Sequence, residues 1–344
     1  MREFLNALKR PAALLLAVFF ITACSFDTPE QVRSISGLTM GTSYSIKWVS
    51  AESDSAALQQ AVSAELVAIN NSMSTYIDSS ELSQLNQHPV GQWFPVSDRL
   101  LDLLSQANQI SDQSGGRFDS TVGPLVNLWG FGPDGRIEKA PDESAIQRLR
   151  PRIGYQQLEL DVEAKRVRRN ADIYIDLSAI AKGYGVDIIA QLLEEKGIHN
   201  YLVEIGGEMR LAGSKPANEP WRVAIERPDV AGRSIQGVIT PGTNSVATSG
   251  DYRNYFEQDG VRFSHTIDPR TGKPINHKLA SVTVVTPSCA QADAYATALT
   301  VMGDKAGYEF AIKQGIEAYF IVKADDGFTV RMTPGFSKFL DSQE

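Results

Sequence analysis

Residues 282–322, "VTVVTPSCAQADAYATALTVMGDKAGYEFAIKQGIEAYFIV", change periodicity twice within one stretch. Val282 to Thr286 is rich in β-branched residues and reads as a strand. Residues 289–301 and 304–314 read as helical, with Ala292, Tyr295, Ala296, Leu299 and Met302 as an apolar stripe. Ala318 to Val322 returns to strand, and with Phe328 to Met332 it predicts a closing hairpin. Strands and grouped helices that follow one another without strict alternation point to an α+β fold of mixed and antiparallel sheets with packed helices.

Working outward, the rest of the chain agrees. Leu58, Val62, Leu66, Ile69 and Met73 recur at helical spacing, as do Leu100, Leu104, Ala107 and Ile110 before Gly115 and Gly116. Ser36 to Trp48 alternates through Tyr44, Ile46 and Trp48 as one strand; residues 155–176 predict a hairpin, 182–196 a helix and 200–270 a series of short strands. No internal repeat or low-complexity segment interrupts them.

The chain has 344 residues, 42% of them apolar, enough for one large core or two modest ones. Its start differs: Arg2, Lys9 and Arg10 precede an almost wholly apolar run from Pro11 to Ala23. That run is too short to span a bilayer and suits an export signal. Ile21-Thr22-Ala23-Cys24 resembles a bacterial lipobox, which makes residues 1–23 a lipoprotein signal peptide, Cys24 the lipidated N-terminus, 24–35 a tether and 36–344 the folded domain. Several acyl chains, at about 0.8 kcal/mol per buried methylene, anchor stably where one would not. Ser25 in place of Asp favours the outer membrane with the domain facing the periplasm.

Losing residues 1–23 removes Arg2, Lys9, Arg10 and Glu3, a net +2, and takes the charge from −8 to −10. An acidic chain lacks the basic face that nucleic acid requires, and Lys165, Arg166, Arg168 and Arg169 read as a solvated hairpin. With Cys24 acylated, Cys289 has no partner and reads as a small buried hydrophobe.

Three motifs carry chemistry. "DLSAIAKGYGVD", Asp176 to Asp187, runs from a strand into a helix whose first turn is kept bare by Gly183 and Gly185; such a turn admits an anion, and equally serves close helix–sheet packing. Asp293 and Thr297, four apart, share one helix face and suit a hard cation such as Mg²⁺, although a solvated Asp beside a back-bonded Thr has the same spacing. In "RFSHTIDPRTGKPI", Arg262 to Ile275, His265 stands at a strand end just before a tight turn, placed as a base or as a packed histidine. His88, His199 and His277 read as surface or packing residues.

These motifs, with "MGTSYSI" (Met40 to Ile46), "MSTYIDSSELSQLN" (Met73 to Asn86), "GGRFDSTVGPLVNLWGFG" (Gly115 to Gly132) and "VEIGGEMRLAG" (Val203 to Gly213), resemble the ApbE family of FAD:protein FMN transferases across nearly the whole mature chain. The resemblance implies a T-fold-like catalytic domain and Mg²⁺-dependent transfer of FMN from FAD to a Thr or Ser hydroxyl of an exported protein, with AMP leaving. It implies FAD contacts from Met40, Tyr76, Phe118, Asp119, Thr121, Asp176, Lys182 and Ile267. It also implies Mg²⁺ ligands from the Ala179 carbonyl, Asp293 and Thr297, and His265 as the base. Implied acceptors carry a D-G-x-T/S-G-A-T/S motif, as in Na⁺-translocating NADH:quinone reductase or the Rnf complex. Two other readings are FAD hydrolysis to FMN and AMP in the same site, and a non-catalytic FAD-binding lipoprotein.

If Cys24 carries the anchor, Cys24→Ser releases the full chain from membranes and leaves its activity intact. Fractionation checks this, and detergent-resistant attachment of the variant counts against the lipobox.

Overall fold

A computed structural model of the chain describes residues 29–341 apart from 53, 133, 134, 136, 138, 229–233, 251–254 and 259–260. The signal segment and Cys24 lie outside the described residues.

The first elements correct two sequence expectations. β1 (Gln31–Thr39) and β2 (Thr42–Ser50) pair antiparallel through a two-residue turn, so Ser36 to Trp48 is the heart of a hairpin and not one strand. Met40 (φ 48°) and Gly41 (φ 70°) both take the left-handed backbone that matches the twist of paired strands. The strand begins inside the span assigned to the tether, because residues 31–35 ladder with β2 while exposing most of their side chains.

α1 (Ala56–Met73) and α3 (Asp98–Gln113) form as the spacing predicts, with α2 (Glu81–Gln87) and β3 (Trp93–Pro95) between them. Next come α4 (Gly123–Leu128), α5 (Glu143–Leu149), the hairpin β4 (Leu158–Asp161) and β5 (Arg166–Arg169), and α6 (Ala181–Glu195). The four-cation hairpin is not wholly solvated: Arg169 is buried, its guanidinium donating to the carbonyls of Ile173 (2.7 Å) and His88. Residues 171–180 form no ladder. Ile173, Ile175 and Leu177 alternate inward, and Asn86 substitutes for a neighbouring strand by bonding both the N–H and the C=O of Ile175 at 2.8 Å.

The second half supplies β6 (Tyr201–Ile205), β7 (Glu208–Ala212), β8 (Val223–Arg227), β9 (Ser234–Ile239), β10 (Ser245–Gly250), β11 (Tyr255–Gln258) and β12 (Val261–Ser264). After the short pair β13 (Ile267–Asp268) and β14 (Lys273–Pro274) come β15 (Leu279–Thr286), α7 (Cys289–Gln314), β16 (Glu317–Ala324) and β17 (Gly327–Met332). The main sheet has the order β1-β2-β6-β7-β10-β15-β16-β17, antiparallel throughout.

β15 is central and buried on both faces because both are covered. Val282 and Val284 meet Ala292, Ala296 and Leu299 of α7, while Val285 meets Trp221, Val223 and Phe336 on the other side. α7 breaks at Gly303 (φ 81°), where the His277 ring fills the place of a side chain. That break separates the two helices read from the sequence. No described helix is long and apolar enough to cross a membrane.

α6 and α7 meet at their N-terminal ends, and each is capped by a carboxylate of the other. Asp187 of α6 accepts from the N–H groups of Cys289 and Ala290, both at 3.0 Å, and from Ser288 Oγ at 2.9 Å. Asp293 of α7 accepts from the N–H of Gly183 at 3.1 Å. Early N–H groups have no partner inside their own helix, and a carboxylate satisfies both their valence and the helix dipole. The contact needs glycine: a Cβ on Gly183 would overlap the Cys289 carbonyl and lie 2.8 Å from Ala290 N, whereas one on Gly185 would meet side-chain ends alone, Met40 Cε at 3.0 Å and Ile205 Cδ1 at 3.3 Å. Both glycines are therefore packed against protein, and the bare first turn serves helix docking in place of ligand approach.

Gly183→Ala is expected to cost about 1–3 kcal/mol, and Gly185→Ala less, because overpacking backbone is costlier than displacing side-chain ends. Urea denaturation of both variants checks the order; equal stabilities would contradict it.

Candidate active site

The docked ends of α6 and α7 open onto a cleft of about 400 Å³. On this wall Lys182 reaches between two buried acids, 3.1 Å from Glu208 Oε1 and 3.5 Å from Asp293 Oδ2. Burial alone would lower the Lys182 pKa, but the two carboxylates outweigh it and raise it. Glu208, only 5% exposed, is pushed up to about 7 by burial and then by Asp293, with Lys182 opposing. Its Oε2 atom has no hydrogen-bond partner. Thr297, one turn beyond Asp293, and Ala179 line the same wall.

A second part of the lining follows β12 and holds His265, Thr266, Ile267 and Pro269. Its backbone is clamped from outside. Arg150 donates to the carbonyls of Pro269 (3.0 Å) and Arg270, Trp129 Nε1 donates to the Gly272 carbonyl (2.8 Å), and Asp268 accepts from the Arg270 N–H (2.9 Å). Ile267 packs with Leu125, Trp129 and Ile146 in a small core of its own. Phe131 presents its edge to the His265 ring at a centroid distance of 6.3 Å.

The floor comes from the loop after α3. Asp119 is buried, and its Oδ1 accepts from both the N–H (2.8 Å) and the hydroxyl (2.6 Å) of Thr121. Thr121 in turn accepts from Gly154 N–H at 2.7 Å. Burial raises the Asp119 pKa, and the bonds from Thr121 and the Tyr155 N–H pull it back. Asp176 is tied to this loop through its N–H on the Ser120 carbonyl (2.7 Å), and Tyr76, 71% exposed, stands at the mouth.

The ApbE family model matches residues 40–320. The chain belongs to the ApbE family. A Vibrio cholerae protein named FAD:protein FMN transferase is 46% identical over 343 residues, 99% of each chain. An Escherichia coli K12 protein of the same name is 37% identical over 345 residues, covering 97% of this chain and 98% of its own. The solved structure of the flavin transferase ApbE from Vibrio cholerae superposes with a TM-score of 0.84 at 45% identity, over 91% of this chain and all of that one.

Of the residues singled out from the ApbE resemblance, the cleft gathers Tyr76, Phe118, Asp119, Asp176, Ala179, Lys182, His265, Ile267, Asp293 and Thr297. It does not gather Met40 or Thr121. Met40 packs against Gly185, and Thr121 sits behind Asp119 as its hydrogen-bond donor. Asp293 is buried, so the reading of a solvated acid on a helix face fails. Glu208, Arg117, Ser120 and the Thr248–Gly250 strand end also line the cleft and were missed. For Glu208 the sequence carries no decisive signal, since a carboxylate opening the strand in "GGEMRLA" ordinarily faces solvent.

Thr121→Val removes a donor to Asp119 and strands the Gly154 N–H, and should cost about 1–3 kcal/mol at pH 7. The hydroxyl bond favours the ionised carboxyl, so its loss raises the folded Asp119 pKa further, and the carboxylate part of the penalty is full above the variant's folded pKa. It fades as pH falls through that value toward the parent's folded pKa, the unfolded state being common to both chains. The stability gap to the parent should therefore narrow from pH 7 to pH 4 without closing, since Gly154 is not rescued by protons. A gap independent of pH in urea titrations would remove Asp119 from the account.

Proposed function

We propose that this chain is an FAD:protein FMN transferase that moves the FMN half of FAD onto a Thr or Ser hydroxyl of an exported acceptor and releases AMP. The observation that supports it most is the gathering of His265, Lys182, Asp293 and Thr297 in the lining of one cleft, in a chain whose relatives bear that name.

The donors suit a divalent cation. They are oxygens of Asp293, Thr297 and Ala179, two carboxylates stand against a single ammonium, and a buried carboxylate oxygen of Glu208 lacks a partner. Among the described residues no group of three or more His, Cys, Asp or Glu comes together as a metal site. A hard ion such as Mg²⁺ fits this set, held by Ala179 O, Asp293 and Thr297. When bound it supplies positive charge to the pyrophosphate oxygens as the phosphorus–oxygen bond breaks.

The chain's own residues do the rest. His265 accepts the proton of the acceptor hydroxyl as its oxygen bonds to the FMN phosphorus, a role contributing ~10²–10⁴-fold in general base catalysis. Lys182 offers a fixed ammonium to the phosphates, Asp119 and Asp176 offer acceptors on the floor, and Tyr76 offers an aromatic face at the mouth. Acceptors of the D-G-x-T/S-G-A-T/S type, in Na⁺-translocating NADH:quinone reductase or the Rnf complex, and a lipid anchor at Cys24 on the periplasmic side complete the proposal.

Incubation of the full chain with FAD, Mg²⁺ and an acceptor domain should add the mass of FMN to the acceptor. His265→Ala should lose transfer by at least ~10²-fold while FAD still binds. Asp293→Asn should lose activity and recover part of it at high Mg²⁺. Free FMN without acceptor modification would mark a hydrolase, FAD bound without turnover a binding lipoprotein, and full activity of His265→Ala would remove the base.

A further inference from the structure

Lys182 poses a problem for any cation at Asp293, because its ammonium already stands 3.5 Å from that carboxylate. Two positive charges cannot share one acid at low cost in a buried site. The geometry holds an exit. The ammonium lies nearer to Glu208, at 3.1 Å, and only one oxygen of Glu208 is engaged. The other, Oε2, is buried in the cleft wall with no partner, an arrangement that normally costs stability unless something uses it. Gly206 and Gly207 form the β6–β7 turn at φ 62° and 105°, and the Lys182 stem lies close against it: a Cβ on Gly206 would stand 3.3 Å from Lys182 Cδ and 2.8 Å from Thr42 Cγ2, so glycine is what lets the lysine pass beside Glu208.

We propose that Glu208 is a positioning residue that takes over Lys182 when a divalent cation takes Asp293, using its vacant oxygen to hold the ammonium with both. Lys182 thus offsets one of the two carboxylate charges before the ion arrives, and Glu208 keeps that lysine from competing with it afterwards. This rests on the cation reading of the site given above.

The test is isothermal titration of MgCl₂ into the full chain without FAD, for the parent and for Glu208→Gln, Lys182→Met, the double variant and Asp293→Asn. Glu208→Gln leaves Lys182 with Asp293 as its one anionic partner and should weaken Mg²⁺ binding about tenfold, a coupling ordinary for neighbouring charges. Lys182→Met should tighten it several-fold. The double variant should return to within about twofold of the parent, since removing the competitor removes the need for its keeper.

Binding in the parent that Asp293→Asn abolishes and Glu208→Gln leaves unchanged overturns the hand-over and keeps the cation site. A double variant as weak as Glu208→Gln also overturns it, making Glu208 a direct ligand or a structural residue. No binding in the parent overturns both readings. Should Glu208→Gln fail to fold, Lys182→Met carries the test alone, and unchanged affinity in that variant refutes the proposal.

Discussion

Two carboxylates exchanged between two helices set the geometry of this molecule. Asp187 on α6 closes the N-terminus of α7, and Asp293 on α7 closes the N-terminus of α6. Each supplies acceptors that orphaned backbone N–H groups cannot find in their own helix, and each sits in the positive end of the partner's dipole. The arrangement fixes both the distance and the rotation of the pair, and the absent side chain of Gly183 allows the backbones to approach that closely. With the helices so locked, Lys182 and Thr297 can face one cleft although they lie far apart in sequence.

The charge of this region is organised in two linked groups. Arg210 bonds Asp187 at 3.1 Å and Glu194 at 3.2 Å behind the helix contact, while Lys182 spans Glu208 and Asp293 in front of it. Behind, the acids and the cation are tied down by hydrogen bonds, Asp187 also holding Ser288 and Glu194 also holding Tyr201. In front, one acid oxygen is left over. Among the described residues, the one buried carboxylate oxygen left without a partner belongs to Glu208 and lines the cleft.

The fold class was legible because its largest elements obey single periods. α1 and α3 bury one stripe each, and β15 buries both faces. Elements that draw stability from one long-range partner were not legible. Residues 171–180 are held by the Asn86 side chain, and Arg169 is buried by carbonyls at both ends of its reach. The Met40–Gly41 turn was hidden because a methionine rarely adopts a positive φ. For the site, local spacing offered only Asp293 with Thr297 and the strand-end position of His265. The family resemblance supplied the other cleft residues, and it could not separate Asp119, which faces the cleft, from Thr121, which stands behind it. Glu208 escaped because its meaning comes from Lys182, on another element.

His265 and the acid pair belong to different packing units. The histidine segment rests on the small core of Leu125, Trp129, Ile146 and Ile267 and is fastened by Arg150, whereas Asp293 and Glu208 rest on the helices and the main sheet. Changes in groups that share no contacts tend to add independently. The two parts of the lining can therefore diverge at separate rates: the histidine segment can be remodelled while the acid pair and its lysine stay in place. A cleft built on two independent supports can change one half of its surface without disturbing the other.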